Sequence, residues 1–248
     1  MNEFRVLMYH EIIREEDFEE KNNSGIKVNQ NYQDILPKPL FVLFEEFEKQ
    51  MAYLNENGYT VLKIQDVVDF FYCGKNVPEK AVLITFDDMY KSVLLYAYPV
   101  LKRHGFSAVG FVVLDWLFHE VQQYSSRQSV CLSKGELVGM GDVFEYANHS
   151  KALHTRKDGL TALQTVDRTA FCADTEACRQ FVNIKDVYAY PFGIFTDEVV
   201  QWLKESGFRL AFTTVEGENT IGTDPYKIHR NGVFLDSNID RFINILIQ

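Results

Sequence analysis

Two rhythms of apolar residues trade places along nearly the whole chain. The segments "FRVLMYH" (4–10), "AVLITFDD" (81–88), "FSAVGFVVL" (106–114), "FEYANHS" (144–150), "DVYAYPFG" (186–193) and "FRLAFTT" (208–214) are short, apolar and rich in β-branched or aromatic residues. That is the signature of buried strands. "YTVL" (59–62) and "YKIHRNGVFL" (226–235) complete the series. Between the strands the period lengthens to that of a helix. "LFVLFEEFEKQMAYLNENG" (40–58) sets Phe44, Phe47, Met51 and Leu54 on one face and stops at Gly58. Further helices are expected over "IQDVVDFFYCG" (64–74), "SVLLYAYPVLKRHG" (92–105), "SKGELVGM" (133–140), "LQTVDRTAFCADTEACRQFV" (163–182) and "TDEVVQWLKESG" (196–207). Pro99 inside the third of these conflicts with a straight helix. Ser133 and Glu136 have the spacing of a capping box.

Strict alternation of strand and helix predicts an α/β fold, with a parallel sheet covered by helices. A closed barrel and an open doubly wound sheet both satisfy the pattern. No glycine-rich phosphate fingerprint follows any strand, which weighs against a dinucleotide fold. In either architecture the chemistry collects at the C-terminal ends of the strands. One stretch keeps neither rhythm: "REEDFEEKNNSGIKVNQNYQDILPKP" (14–39) is polar, long, and expected to decorate one face. No repeat or linker interrupts the 248 residues, so the chain reads as one domain, 1–248.

Composition narrows the partners. At 46% hydrophobic and 24% charged the chain is an ordinary globular protein, and its net charge of −10 argues against nucleic acid or an anionic membrane surface. Cys73, Cys131, Cys172 and Cys178 fall at irregular spacings and read as unpaired thiols. The N-terminus lacks the layout of an export signal, and no apolar run reaches transmembrane length. Taken at face value the protein is cytoplasmic, or at the cell surface if an export segment precedes it.

Three strand ends carry candidate chemistry. Asp87 and Asp88 close one; an aspartate there could also cap the next helix. "ANHSKALHT" supplies His149 and His154, whose five-residue gap suits a loop turning back on itself, with Ser150 hydrogen-bonding inside the turn. Two imidazoles and a carboxylate form a common hydrolytic metal site. "YAYPFG" (188–193) ends in a Pro–Gly turn able to offer an N–H to an oxyanion. Trp116, just after a strand, is the better candidate for a wall of the substrate site, and Trp202, on a helix, reads as core.

Together these motifs resemble the polysaccharide deacetylase family, the NodB-homology group of carbohydrate esterases: "TFDD" matches its first motif, "HSKALH" its second and "AYPFG" its third. The resemblance spans residues 5 to 235 and implies a distorted (β/α)7-type barrel. It also implies that Asp87 is the general base, that Asp88, His149 and His154 hold a divalent metal, and that the Phe192 N–H helps hold the oxyanion. Zn2+ is the first choice, with Co2+ or Ni2+ as alternatives. The chain departs from the family pattern: Met89 stands where glycine is usual, an extra residue separates the histidines, and the third motif lacks the arginine that tethers the base. No C-terminal "LxH" with its preceding Asp–Trp motif follows to supply the acid histidine. It is closer to the permuted branch of poly-N-acetylglucosamine de-N-acetylases, in which the acid histidine comes from an N-terminal "YH" strand. "LMYHE" then gives His10 that role, and Arg230, in "HRNGV", is the substitute tether for Asp87. The implied activity is removal of N-acetyl groups from an N-acetylglucosamine-containing glycan. A small non-sugar amide substrate and a non-catalytic carbohydrate-binding role are the alternatives.

Overall fold

The apolar runs become strands and the longer-period segments the helices between them. The computed structural model describes residues 2–19 and 25–247. Nine of its strands make the principal sheet: β1 (Glu3–Tyr9), β2 (Thr60–Val61), β3 (Ala81–Asp87), β4 (Ala108–Val112), β5 (Phe144–Asn148), β6 (Val187–Ala189), β7 (Leu210–Phe212), β8 (Glu218–Thr220) and β9 (Asn231–Gly232). The helices are α1 (Phe44–Glu56), α2 (Ile64–Cys73), α3 (Tyr98–His104), α4 (Lys134–Gly139), α5 (Arg168–Phe181), α6 (Asp197–Glu205) and α7 (Ile239–Ile247).

Neighbours run β7-β6-β5-β4-β3-β1 and are parallel throughout, while β8 adds antiparallel to the first residues of β1. The segment 228–232 then closes the circle. Ile228 bridges Phe212 in parallel on one side, and β9 pairs with Leu7 and Met8 on the other. The fold is thus the distorted (β/α) barrel expected, curled and shut by its last short strand.

Side chains alternate across a strand, and this parity organises the core. Phe4 and Val6 of β1, Leu83 of β3, Phe111 of β4, Ala147 of β5, Val187 and Ala189 of β6, and Phe212 of β7 pack together inside the barrel. Their neighbours Leu7, Tyr9, Val82, Ile84, Phe86 and Phe144 face outward, against Phe47, Met51 and Leu54 of α1 and Val100 and Leu101 of α3. Helix α2 plugs the N-terminal end of the barrel with Ile64, Val67, Val68 and Phe70, and the N–H of Ile64 donates to Glu145 at the start of β5. The opposite, C-terminal end is left for the site.

Four segments differ from expectation. Pro99 does not sit mid-helix: Val93–Ala97 form a π-helical turn and Pro99 falls in the first turn of α3, where its missing N–H matters least. Helix α5 starts at Arg168 rather than near 163, because Asp167 caps it by accepting from the Ala170 N–H at 2.9 Å. The strand expected over 226–235 is reduced to β9 and the Ile228 bridge. The polar stretch 14–39 decorates nothing remote: beyond residues 20–24, which lie outside the described part, it runs as a strap over the C-terminal end of the barrel. Ile26–Lys27 pair with Ser129–Val130 beneath it.

Candidate active site

Parity selects most of the site. His10 continues the inward series Phe4, Val6; Asp87 continues Leu83 and Thr85; His149 follows Ala147; Arg230 follows Ile228. Each therefore reaches the C-terminal mouth of the barrel from a different strand. Asp88 breaks the rule. An extended backbone would aim it outward, but it adopts a left-handed conformation (φ 66°), as does Met89 (φ 56°), and the chain reverses. Both aspartates line the same cavity, of about 380 Å³.

The geometry converges on one point. Asp88 Oδ1 lies 3.8 Å from His149 Nε2 and 3.6 Å from His154 Nε2. A ligand atom from each of the three residues falls within 4.8 Å of the others, and all three side chains are buried. Asp88 Oδ1 has no hydrogen-bond partner among the described residues, while Oδ2 accepts from the buried Tyr90 hydroxyl at 2.9 Å. His149 has Nδ1 at 2.8 Å from the Ala189 carbonyl. That contact puts the proton on Nδ1 and leaves the Nε2 lone pair facing the cluster. An orphaned buried carboxylate oxygen beside two imidazole nitrogens fits a divalent cation of the zinc type.

Asp87 stands beside this trio. Arg230 grips it bidentately, Nη1 donating to Oδ1 at 2.6 Å and Nη2 to Oδ2 at 2.8 Å, while its Nε donates to the Thr213 carbonyl at 2.7 Å. Asp87 Oδ2 also lies 3.8 Å from His10 Nε2 and 3.9 Å from His149 Nε2. Burial pushes the Asp87 carboxyl upward, but the Arg230 guanidinium, joined by His149 and His10, outweighs it and holds the group well below the usual carboxylate range. Asp88 has no such cation, and burial leaves it raised. Burial also lowers His149 and His154, each to about 4, and lowers His10 against the opposing pull of Asp87 and Asp88. The two histidines of the trio are thus neutral, as ligands must be.

The turn that presents the histidines is built differently from expectation. The Asn148 side chain accepts from the Ser150 N–H at 2.8 Å, whereas the Ser150 hydroxyl has no partner among the described residues. Phe192 lines the cavity with a left-handed backbone (φ 59°), and its ring centroid lies 4.3 Å from that of His154. Trp116 lines the cavity as expected, but it is fully buried and its ring lies 4.6 Å from that of His154. Trp202 is half-buried against Phe171, as a core residue would be. His229 faces away from the cavity, with Nδ1 3.0 Å from the Glu218 carbonyl. The four cysteines are unpaired. Tyr32, Asp34, Tyr90 and Arg156 also line the cavity, and sequence reasoning missed all four. Only Tyr90 carried a signal, its place beside the double aspartate.

A barrel with its acids and imidazoles at the C-terminal mouth is an arrangement of hydrolases, and comparison with known proteins fixes which. The polysaccharide deacetylase family model matches residues 74–211, and the chain belongs to that family. Among named relatives it is 25% identical over 241 residues to a poly-beta-1,6-N-acetyl-D-glucosamine N-deacetylase of Staphylococcus epidermidis, covering 92% of this chain and 78% of that protein. It is 25% identical over 195 residues to a protein of the same name from Staphylococcus aureus, covering 75% of this chain and 65% of that one. In fold it is similar to the Streptococcus pyogenes deacetylase PplD (TM-score 0.78, 18% identity, 99% of each chain). It is also similar to IcaB from Ammonifex degensii (TM-score 0.73, 21% identity, 99% of this chain and 96% of that one). Among the described residues no helix is long and apolar enough to cross a membrane.

Proposed function

We propose that the chain, 1–248 acting as one catalytic unit, is a divalent-metal-dependent hydrolase that removes N-acetyl groups from a glycan containing N-acetylglucosamine. The observation that carries this reading is the convergence of Asp88, His149 and His154 beside a second carboxylate, Asp87, and a fifth group, His10. The names of the Staphylococcus relatives support the substrate class.

Asp88, His149 and His154 would hold the cation, Zn2+ first and Co2+ or Ni2+ as alternatives; when bound, it polarises the acyl carbonyl and eases deprotonation of water. Asp87 is the base. Arg230 uses one lone-pair direction on each of its oxygens, which leaves Oδ2 able to accept the proton of an attacking water from the cavity side. The Phe192 N–H donates to the developing oxyanion. His10, whose Nε2 lies 3.8 Å from Asp87 Oδ2, donates the proton that lets the glucosamine nitrogen leave as an amine. Positioned acid–base groups of this kind each contribute roughly 10²–10⁴-fold.

The test pairs metal analysis with acetate release from N-acetylglucosamine oligomers. Native protein should carry about one divalent ion per chain and release acetate, and Asp87→Asn should keep the ion and lose turnover. Full activity in Asp87→Asn, or native protein with neither ion nor turnover, would sink the reading.

A further inference from the structure

The two histidines of the proposed metal site, on which this inference rests, are held by different means. His149 is fixed through the Ala189 carbonyl. His154 Nδ1 is buried and meets no partner on another described residue, only its own backbone. An imidazole without that second anchor is free to turn about its terminal torsion, and its aim at a cation then depends on what packs against it. Trp116 lies on one side at 4.6 Å between ring centroids, and Phe192 on another at 4.3 Å.

Both neighbours lead into the strap. The Tyr32 ring packs 4.8 Å from Trp116, and its hydroxyl donates to Asp34 Oδ2 at 3.2 Å. Arg156 grips Asp34 with two donors, Nη2 to Oδ1 at 2.7 Å and Nε to Oδ2 at 2.6 Å. The Arg156 guanidinium in turn lies 5.7 Å from the Phe192 ring centroid. The contacts therefore form a closed circuit, from His154 through Trp116, Tyr32, Asp34, Arg156 and Phe192 back to His154. Beyond this circuit the strap is held by the short Ile26–Lys27 pairing, the Asn29 N–H on the Trp116 carbonyl at 3.1 Å, Gln30 on the Ala152 carbonyl at 3.2 Å, and the burial of Ile26 and Leu36 in an apolar cluster with Ile13, Tyr90 and Trp116.

We propose that Trp116 and the Asp34–Arg156 pair are positioning residues for His154, and that closure of the strap over the site and binding of the cation are one coupled equilibrium. The strap locks the ring whose Nε2 faces Asp88. By linkage the cation must stabilise the closed strap as much as the strap strengthens its binding. Segments with few regular hydrogen bonds open most readily, so the effect should be visible in the strap before it is visible in the barrel.

The experiment uses the full chain with Zn2+ alone, measuring affinity by competition with a chelating dye and backbone protection by hydrogen exchange. Asp34→Asn keeps shape and removes the charge. The pair is partly solvent-exposed (side chains 19% and 51%), so affinity should fall about fivefold or less. Trp116→Leu should weaken it by roughly 10–100-fold, the range for lost outer support of a ligand, and Trp116→Phe should recover most of the loss. Zinc should raise protection of amides 26–36 in native protein and less so in Asp34→Asn, with the metal-free melting temperature of that variant unchanged. Native zinc affinity in both variants, or strap exchange indifferent to zinc, overturns this inference and leaves the metal site standing. Native protein that binds no zinc overturns both.

Discussion

Replacing Arg230 with Gln tests the electrostatic design of the site directly. Arg230 is wholly buried, its guanidinium is spent on Asp87 and the Thr213 carbonyl, and it rests 5.4 Å from the Phe111 ring centroid. Removing one partner of a buried ion pair leaves the other charged and unsolvated, at a cost of roughly 3–5 kcal/mol. Against a usual domain stability of about 5–15 kcal/mol, the variant should still fold. The pH dependence separates this from simple loss of packing. In the native chain Asp87 is depressed, so its stabilisation is present above the unfolded value of about 3.9 and is lost only as pH falls through the lower folded value. Without Arg230 burial is opposed only by the weaker pull of His149 and His10, and the carboxyl rises; ionising it then works against folding as pH increases. The deficit relative to native should therefore be smaller near pH 4, where the variant's carboxyl can keep its proton, than near pH 7. Urea unfolding followed by circular dichroism at both pH values measures it, and the acid limb of acetate release should shift upward in parallel. Arg230→Lys, with its charge but no fork, should fall between. A deficit equal at the two pH values, or below about 1 kcal/mol at pH 7, would refute the reasoning.

Three other outcomes follow from the same structure. His10→Asn should cut kcat by roughly 10²–10⁴-fold while leaving metal content intact; because native His10 is lowered by burial, the alkaline limb that it sets should lie below the ordinary imidazole value and vanish in the variant. Glu11 is buried with Oε2 unpaired among the described residues, and burial raises its carboxyl to about 8 despite a Ser129 hydrogen bond. A raised carboxyl binds its proton in the folded state first, so native stability should decline as pH rises from about 4.5 to 8, by up to about 1.4 kcal/mol per pH unit, and Glu11→Gln should flatten that slope in thermal melts. Met89→Gly should lower stability by about 1–4 kcal/mol through the void it leaves, net of relieved backbone strain, with kcat retained; loss of turnover with stability unchanged would contradict the account of Met89 below.

Much of the site was legible as chemistry at strand ends, and His10 and Arg230 through the resemblance; parity explains afterwards why they meet. His10, Asp87, His149 and Arg230 share the inward parity of the apolar runs beside them. Asp88 was legible as a strand-end acid beside Asp87, although parity alone would send it outward; what redirects it is a left-handed backbone that no residue type announces. Closure of the barrel was not legible either, because it depends on a two-residue strand and one bridge at Ile228. The strap was the largest loss. Its residues keep no rhythm, and Asp34 meets Arg156 across 122 residues, a pairing that no local pattern encodes. The aromatic packing around His154 follows from that pairing and stayed hidden with it.

Met89 shows how the departure from the family's glycine is accommodated. The position demands a positive φ, which glycine adopts without strain and an ordinary residue only at about 1–2 kcal/mol. Asp88, Ser150 and Phe192 hold positive φ at the same mouth, so strain is concentrated where the site is aimed. Met89 offsets its share by burial. Its side chain is fully enclosed among the outer-face core residues, worth about 1.5–3 kcal/mol. Room for it comes from the next strand: a Cβ placed on Gly110 of β4 would lie 2.5 Å from the Met89 sulfur and 3.0 Å from Tyr146. The glycine that the first motif lacks has in effect been displaced one strand over. The turn is then held by packing instead of by backbone freedom, and the carbonyl and N–H on either side of it stay engaged, Leu132 N–H on the Met89 carbonyl and the Asp88 N–H on the Phe111 carbonyl. Because the methionine points outward and Asp88 inward, the substitution fixes the direction of Asp88 without entering the cavity that both aspartates line.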